Sequence, residues 1–166
     1  MNIRPEDPAD HNAVRALHRC AFEGEGEARL VDLLREQSWP VVSLVAEDAG
    51  QVVGHILFSP ATLDGADGGM GLAPMAVLPA RQREGIGSAL VQSGLEACRE
   101  LGIGWVVVLG HPAYYPRFAF VPASQFGVTS DYEVPDDVFL AQELVEGALA
   151  PGGRARYHPA FASLEE

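Results

Sequence analysis

The stretch Gln82-Arg83-Glu84-Gly85-Ile86-Gly87-Ser88 decides how the rest of the chain is read. A short apolar run ending in Val77-Leu78-Pro79 precedes it, and an amphipathic run from Gly85 to Leu101 follows. The order is strand, tight glycine-bearing loop, helix. Such a loop leaves the first backbone N–H groups of the helix without partners, and the helix dipole adds partial positive charge at the same place. The result is a site for phosphate or pyrophosphate. Gly85 and Gly87 allow positive φ and let an anion approach the backbone with no Cβ in the way.

Two common phosphate loops do not fit. A Walker A loop needs a lysine, and the chain contains none. A dinucleotide fingerprint needs a small residue at position 90, where Leu90 stands, in a compact strand-helix-strand unit early in the domain.

Composition narrows the classes further. At 166 residues the chain suits one domain, 1–166, with the part from about 146 to 166 an extension packed on it. Hydrophobic residues make up 48% and charged residues 20%, which argues against disorder. No apolar stretch approaches the roughly 20 residues of a membrane helix, and the N-terminus lacks the apolar core of a signal peptide. Cys20 and Cys98 fall in helical patterns and read as small core residues, so a reducing, cytoplasmic setting is expected. A net charge of −12 argues against nucleic acid as a partner and weakly favours encounter with cationic amines.

Taken in order, Asn2-Ile3-Arg4 is a brief extended start. Asp7-Pro8 reads as an N-cap with proline at the first helical position, and Val14, Leu17 and Ala21 carry a first helix to about Phe22. His18 reads as a partly exposed residue of that helix. Leu30, Val31, Leu33 and Leu34 mark a second helix that stops near Trp39-Pro40. Val41–Glu47 and Gln51–Phe58 form a hairpin about Asp48-Ala49-Gly50. Ser59 to Gly69 reads as a polar loop, and Gly71 to Leu78 as a strand whose Pro74 implies an edge or bulge. The helix after Gly85 presents Ile86, Leu90, Gly94, Leu95, Cys98 and Leu101 on one face, with Gly102 beyond its end. Trp105–Gly110 is a continuous apolar run, as in a strand covered on both sides. A short helix between Pro112 and Pro116, a strand over Val138–Leu144 and a glycine turn with a short strand after Gly152 complete the chain.

The pattern Gln/Arg-x-x-Gly-x-Gly/Ala, met by Gln82, Gly85 and Gly87, resembles the pyrophosphate loop of the GNAT family of acyl-CoA-dependent N-acetyltransferases. Tyr115-Pro116-Arg117-Phe118-Ala119-Phe120 resembles a second family motif, Tyr-x-x-x-Gly-Phe, with Ala119 in place of glycine. The wider run Leu109–Phe120 looks like the family's YhbS-like subgroup. The order of elements is also the family's, over nearly the whole chain. The resemblance implies an α/β (α+β) fold: a mixed, mostly antiparallel sheet splayed between its fourth and fifth strands, with helices on both faces.

It also implies a reaction. Acetyl-CoA, as cosubstrate and with no metal, lies in the splay. Its pyrophosphate is held by the loop from Gln82 through Arg83, Glu84, Gly85, Ile86 and Gly87 to Ser88, and its pantetheine arm pairs with Met75, Ala76 and Val77. A strand N–H polarises the thioester carbonyl. A primary amine attacks directly in a ternary complex. Tyr115, four residues before the glycine position, is the first candidate acid for the departing thiolate, and Tyr114 competes with it. A phenol near pKa 10 is a reasonable donor to a thiolate. The base is open between His111, Glu47 and His55; ligands gather at carboxyl ends of strands, which favours His111. Arg117 is a candidate partner for a phosphate or for an acidic neighbour. The resemblance leaves the acceptor unassigned among metabolites, antibiotics, polyamines, peptide N-termini and lysine side chains. A homodimer through late strands is a family habit that nothing in the chain requires. Ala119, Pro116 and the unassigned base keep a second reading open, a non-catalytic acyl-CoA-binding sensor or scaffold. A third, another nucleotide-phosphate enzyme using the same loop, predicts no CoA binding.

Overall fold

A computed structural model of the chain describes residues 1–165. Strand β1 (Asn2–Pro5) leads into a 3-10 turn and helix α1 (His11–Ala21). Asp7 caps the entry: its carboxylate accepts from Ala9 N, and its own N–H donates to Asp10 Oδ2 at 2.7 Å. Arg4 then clamps the Asp10 carboxylate at 2.7 and 3.0 Å. Helix α2 (Gly26–Gln37) ends before Trp39-Pro40, as the proline requires.

Strands β2 (Val42–Asp48), β3 (Gln51–Leu63) and β4 (Ala66–Val77) form a long antiparallel meander. Here the chain departs from expectation. Ser59 to Gly69 is not a loop; β3 and β4 continue through it to a turn of Asp64 and Gly65, with φ of 48° and 84°. Asp-Gly with both φ positive is the turn whose twist matches a hairpin. Asp64 Oδ1 also accepts from Arg154 N at 2.9 Å, which ties the turn to the C-terminal segment.

Helix α3 (Ile86–Glu100) crosses back to β5 (Trp105–Leu109), which runs parallel to β4. The short elements that follow are β6 (Val121–Pro122), β7 (Val128–Ser130), β8 (Phe139–Glu143) and β9 (Gly153–Arg156). The main sheet order is β1-β2-β3-β4-β5-β8-β6, while β9 pairs with β3 and β7. Of the ladders among the described residues, only β4–β5 and β7–β9 are parallel. The 3-10 helix after β5 spans Tyr115–Phe118, so Pro116 sits inside it rather than ending it, and Pro112 lies in the turn before it rather than opening it.

Alternation along β3 puts neighbouring residues on opposite faces. Phe58 faces α3, where Gly94 leaves room for its ring: a Cβ at Gly94 would lie 2.2 Å from Phe58 Cε1. Leu57 faces the other way and packs with Val14, Leu30, Val31 and Leu34 of α1 and α2. The sheet is therefore covered by α3 on one face and by the α1–α2 pair on the other. His18 lies on the α1 stripe that meets the sheet, beside Val14 and Leu17, and is fully buried rather than partly exposed. Cys98 is buried as expected, but Cys20 is exposed on the outer side of α1.

The β4–β5 ladder pairs only Gly69–Gly71 with Trp105–Val107. Beyond Gly71 the β3–β4 register shifts around Pro74, which has no N–H to donate, and β4 leaves β5. Residues Met75–Val77 keep β3 on one side and have no strand on the other. At the point of parting, the Tyr157 ring lies over Gly71, 2.1 Å from where a Cβ would stand.

Gly71→Ala should therefore destabilise the protein by about 1–3 kcal/mol through overpacking. Urea denaturation is the check, and combining it with Tyr157→Ala should give less than the sum of the two single losses.

Candidate active site

A cleft of about 590 Å³ opens where β4 parts from β5. Its walls are Met75, Ala76 and Val77 of β4, the segment Arg81–Ser88 except Glu84, and Tyr114 with Arg117 beyond β5. The local sequence builds each wall. Gly85 caps α3 with φ of 86° and no side-chain cap, so the N–H groups of Ile86, Gly87 and Ser88 are left for a ligand. Gly87 has a different reason for being glycine than the one expected. It is helical, and its missing side chain matters for space: a Cβ there would stand 3.2 Å from the Tyr114 hydroxyl and 3.7 Å from Met75 Cε. Arg83 also takes positive φ, 68°, within the loop.

Three arginines reach this cleft in a strongly acidic chain. Arg81 is tied to Asp48 at 2.8 Å and to Glu84 at 2.9 Å. Among the described residues Arg83 and Arg117 make no ion pair, although Arg117 lies over the Tyr114 ring at 5.3 Å. These free guanidinium groups and the start of α3 together bring positive charge and open N–H donors to one surface, the chemistry an anion requires. The Gln82 side chain donates to Val77 O at 3.3 Å, which joins the loop to the β4 edge. Glu84 does not face the cleft; its carboxylate is spent on Arg81.

The two tyrosines part company. Tyr114 lines the cleft, and its hydroxyl lies 3.2 Å from Ser88 Oγ in the first turn of α3. Tyr115 is turned into the core, with its ring against Gly110, where a Cβ would be 2.2 Å away. Burial, with Tyr114 adding to it, pushes the Tyr115 phenol up to about 12. His111 is exposed and does not line the cleft; its carbonyl accepts from Tyr114 N and Tyr115 N, so it closes the turn. Glu47 lies at the other end of the sheet, bonded to Arg4 at 2.9 Å. His55 is fully buried on the α1–α2 face, between His18 and Ser43.

Tyr157, placed by its sequence only in the C-terminal segment, closes the base of the splay from the α1–α2 side. Its hydroxyl is buried beside the Leu109 backbone without completing a hydrogen bond. Nothing local in the sequence pointed to it; its role follows from Gly71, 86 positions earlier by numbering. Among the described residues no group of three or more His, Cys, Asp or Glu is gathered for a metal ion, and no helix is long and apolar enough to cross a membrane.

Comparison with known proteins agrees with this fold. The family model described as "Acetyltransferase (GNAT) family" matches residues 11–119. The uncharacterized N-acetyltransferase YhbS of Escherichia coli K12 is 38% identical over 164 residues, covering 97% of this chain and 98% of that one. YjhQ of the same strain, also named an uncharacterized N-acetyltransferase, is 41% identical over 159 residues, covering 90% and 88%. The crystal structure of Escherichia coli YhbS in complex with CoA superposes with a TM-score of 0.91 at 37% identity, covering 97% and 91% of the two chains. A GNAT family acetyltransferase from Brucella melitensis in complex with acetyl-CoA gives 0.80 at 38% identity, covering 96% and 97%. The chain belongs to the GNAT family of acetyltransferases. Within that family it is similar to YhbS along nearly its whole length.

Because nothing lies within 4 Å of a Cβ built on Gly85, a substitution there tests backbone conformation alone. Gly85→Ala should cost about 1–2 kcal/mol for holding a left-handed residue, and Gly85→Asn less. Thermal melting of the three proteins checks the order.

Proposed function

We propose that this protein transfers an acetyl group from acetyl-CoA to a primary amine, by direct attack within a ternary complex. The observation that carries the reading is the cleft: an uncapped α3 N-terminus and two free arginines stand beside a strand edge that has no strand partner. These are the donors that a pyrophosphate and an amide-bearing pantetheine arm require. The CoA complex of YhbS and the acetyl-CoA complex of the Brucella protein support the same cosubstrate here.

The backbone N–H groups from Gly85 to Ser88, with Arg83 and Arg117, bind the pyrophosphate. Gln82 and Ile86 shape that loop. Met75, Ala76 and Val77 offer the β4 edge to pantetheine, and an N–H of that edge polarises the thioester carbonyl. Attack by the amine nitrogen forms the C–N bond, and the C–S bond then breaks. Tyr114 takes the acid role ahead of Tyr115, because its hydroxyl faces the cleft beside Ser88 while Tyr115 is packed against Gly110. Holding amine and thioester together supplies a large share of the rate by proximity alone. The acidic surface favours cationic acceptors at encounter.

Calorimetric titration with acetyl-CoA, with ATP as control, tests the cosubstrate. Gly87→Glu should abolish acetyl-CoA binding, since it brings a carboxylate to the pyrophosphate and a side chain against Tyr114; unchanged affinity would refute the loop assignment. Turnover is read as thiol release with ethanolamine, spermidine, kanamycin and a lysine-containing peptide with a free N-terminus. Tyr114→Phe should lower kcat by about 10²–10⁴-fold at unchanged acetyl-CoA affinity, and Tyr115→Phe far less. Binding without turnover would favour the sensor or scaffold reading instead.

A further inference from the structure

The fold makes no use of the Tyr157 hydroxyl. Its oxygen is buried and completes no hydrogen bond among the described residues. A buried hydroxyl without a partner costs free energy that phenylalanine at the same position would not cost. The ring, by contrast, is well used. It stacks on Phe161 with centroids 4.9 Å apart and leans on Tyr132 at 6.4 Å. Packing therefore accounts for the ring and leaves the hydroxyl to be explained by something outside the fold.

Its position supplies the explanation. Gly71 with Val107 is the last pair of the β4–β5 ladder. The ring lies over Gly71, and the hydroxyl stands beside the backbone of Leu109, just past Val107 on β5. The side chain thus reaches from β4 to β5 across the first opening of the gap. The same gap widens into the cleft between Met75 and Tyr114. An arm with two amides that enters beside the start of α3 and pairs with Val77 and Met75 runs toward Gly71, its reacting end leading. On that path Pro74 contributes no N–H. Trp105, Val107 and Leu109 alternate onto the face away from α3. Trp105 and Val107 are 3% and 1% exposed, whereas Leu109 is 36% exposed. The cover on that face ends at Leu109, beside the hydroxyl, on the side opposite α3.

We infer that the Tyr157 hydroxyl is a catalytic donor in the reaction proposed above, hydrogen-bonding the thioester carbonyl oxygen alongside the β4 N–H as the amine attacks. The inference rests on that acetyl-transfer reading. The C-terminal segment thereby adds to the site a residue that lies outside both sequence motifs. Gly71 is part of the arrangement, since a Cβ there would stand 2.1 Å from both Cδ1 and Cε1 of the Tyr157 ring. Only a residue without a Cβ lets the ring cross β4 and reach β5. The segment that ends at Tyr157 is held from behind. Arg156 and Ala155 pair with Thr62 and Leu63 of β3, and Arg154 N donates to Asp64 Oδ1 at 2.9 Å. The hydroxyl is therefore in place before a substrate arrives, which is the condition for electrostatic stabilisation without reorganisation.

The step balances. As the amine nitrogen forms the C–N bond, the carbonyl π pair moves onto oxygen, where the Tyr157 O–H and the β4 N–H hold the charge. When that pair returns, the C–S bond breaks. The thiolate takes a proton from Tyr114, the nitrogen loses one to water, and water resets Tyr114. Tyr157 keeps its proton throughout. Burial first, then the neighbouring Tyr132 and Tyr115, raise its phenol well above the ordinary value, with the Leu109 backbone opposing them. A phenol held in that way donates a hydrogen bond and does not act as a base. In a buried gap such a donor counts for more than it would in water.

Tyr157→Phe removes the hydroxyl and keeps the ring over Gly71, so stability and chemistry can be read apart. Urea denaturation should give the variant a midpoint equal to that of the native protein or higher. A lower midpoint would show that the fold uses the hydroxyl and would overturn the assignment. Isotope-edited infrared spectra of acetyl-CoA labelled with carbon-13 at the carbonyl read the contact directly and need no acceptor. Bound to the native protein, the carbonyl band should fall below its frequency in free acetyl-CoA. Bound to Tyr157→Phe it should return part of the way, while calorimetry finds the affinity for CoA unchanged. The same band in both complexes would rule the contact out. With the four amines named above, Tyr157→Phe should lower kcat by about 10²–10³-fold at a nearly unchanged KM for acetyl-CoA. Native kcat in the variant sinks the role of Tyr157 and leaves the acetyl-transfer reading standing. A native protein that binds no acetyl-CoA removes both.

Discussion

Everything at the cleft depends on the loss of β-pairing after Gly71. A parallel ladder between β4 and β5 would satisfy the outer edge of β4 and leave no gap. Pro74 cannot donate to a ladder, the register shifts beside it, and the two strands separate. The separation exposes backbone groups that would be costly to bury unpaired. It also places the start of α3, built on Gly85, beside that open edge. One irregularity thus supplies both an open strand edge and the space to reach it.

Small residues and aromatic rings then tune the shape. Gly71 admits Tyr157 at the base of the splay, Gly110 admits Tyr115, and Gly87 keeps a path beside the Tyr114 hydroxyl. These are packing decisions, and they sort the two adjacent tyrosines into different environments. Tyr115 joins the core, whereas Tyr114 stands at the cleft with Arg117 across its ring. The charge distribution follows a similar division. Most arginines are held by the abundant carboxylates, as in Arg4 with Asp10 and Glu47, or Arg35 with Glu6 and Asp32. Arg83 and Arg117 are left to the cleft, so an acidic protein carries a local surface for anions.

The features legible in the sequence were those whose cause lies within a few residues. Asp7-Pro8 opened the 3-10 turn that leads into the first helix, Gly102 followed the third with φ of 80°, and the apolar run from Trp105 became a buried strand. The segment Ser59–Gly69 has the glycines and polar residues of a loop yet is strand, and its local hairpin signal is Asp64-Gly65. His18 lies on the buried stripe by helical periodicity, whereas its chemistry suggests the surface. It is accommodated by a partner 37 residues away.

The sequence by itself determined the loop and the helix start that wall the cleft, since left-handed glycine, missing N–H partners and helix dipole are local properties of the backbone. It also determined the family, through two short motifs at compatible spacing. Only the tertiary structure decided which tyrosine meets the cleft, which glycine is there for space rather than for φ, and which histidines are buried together. Each of those outcomes depends on atoms brought together from distant positions, as Ser88 is with Tyr114 across 26 residues. Periodicity reports which face of an element is apolar; it carries no information on what a hydroxyl or an imidazole finds opposite it once the elements pack.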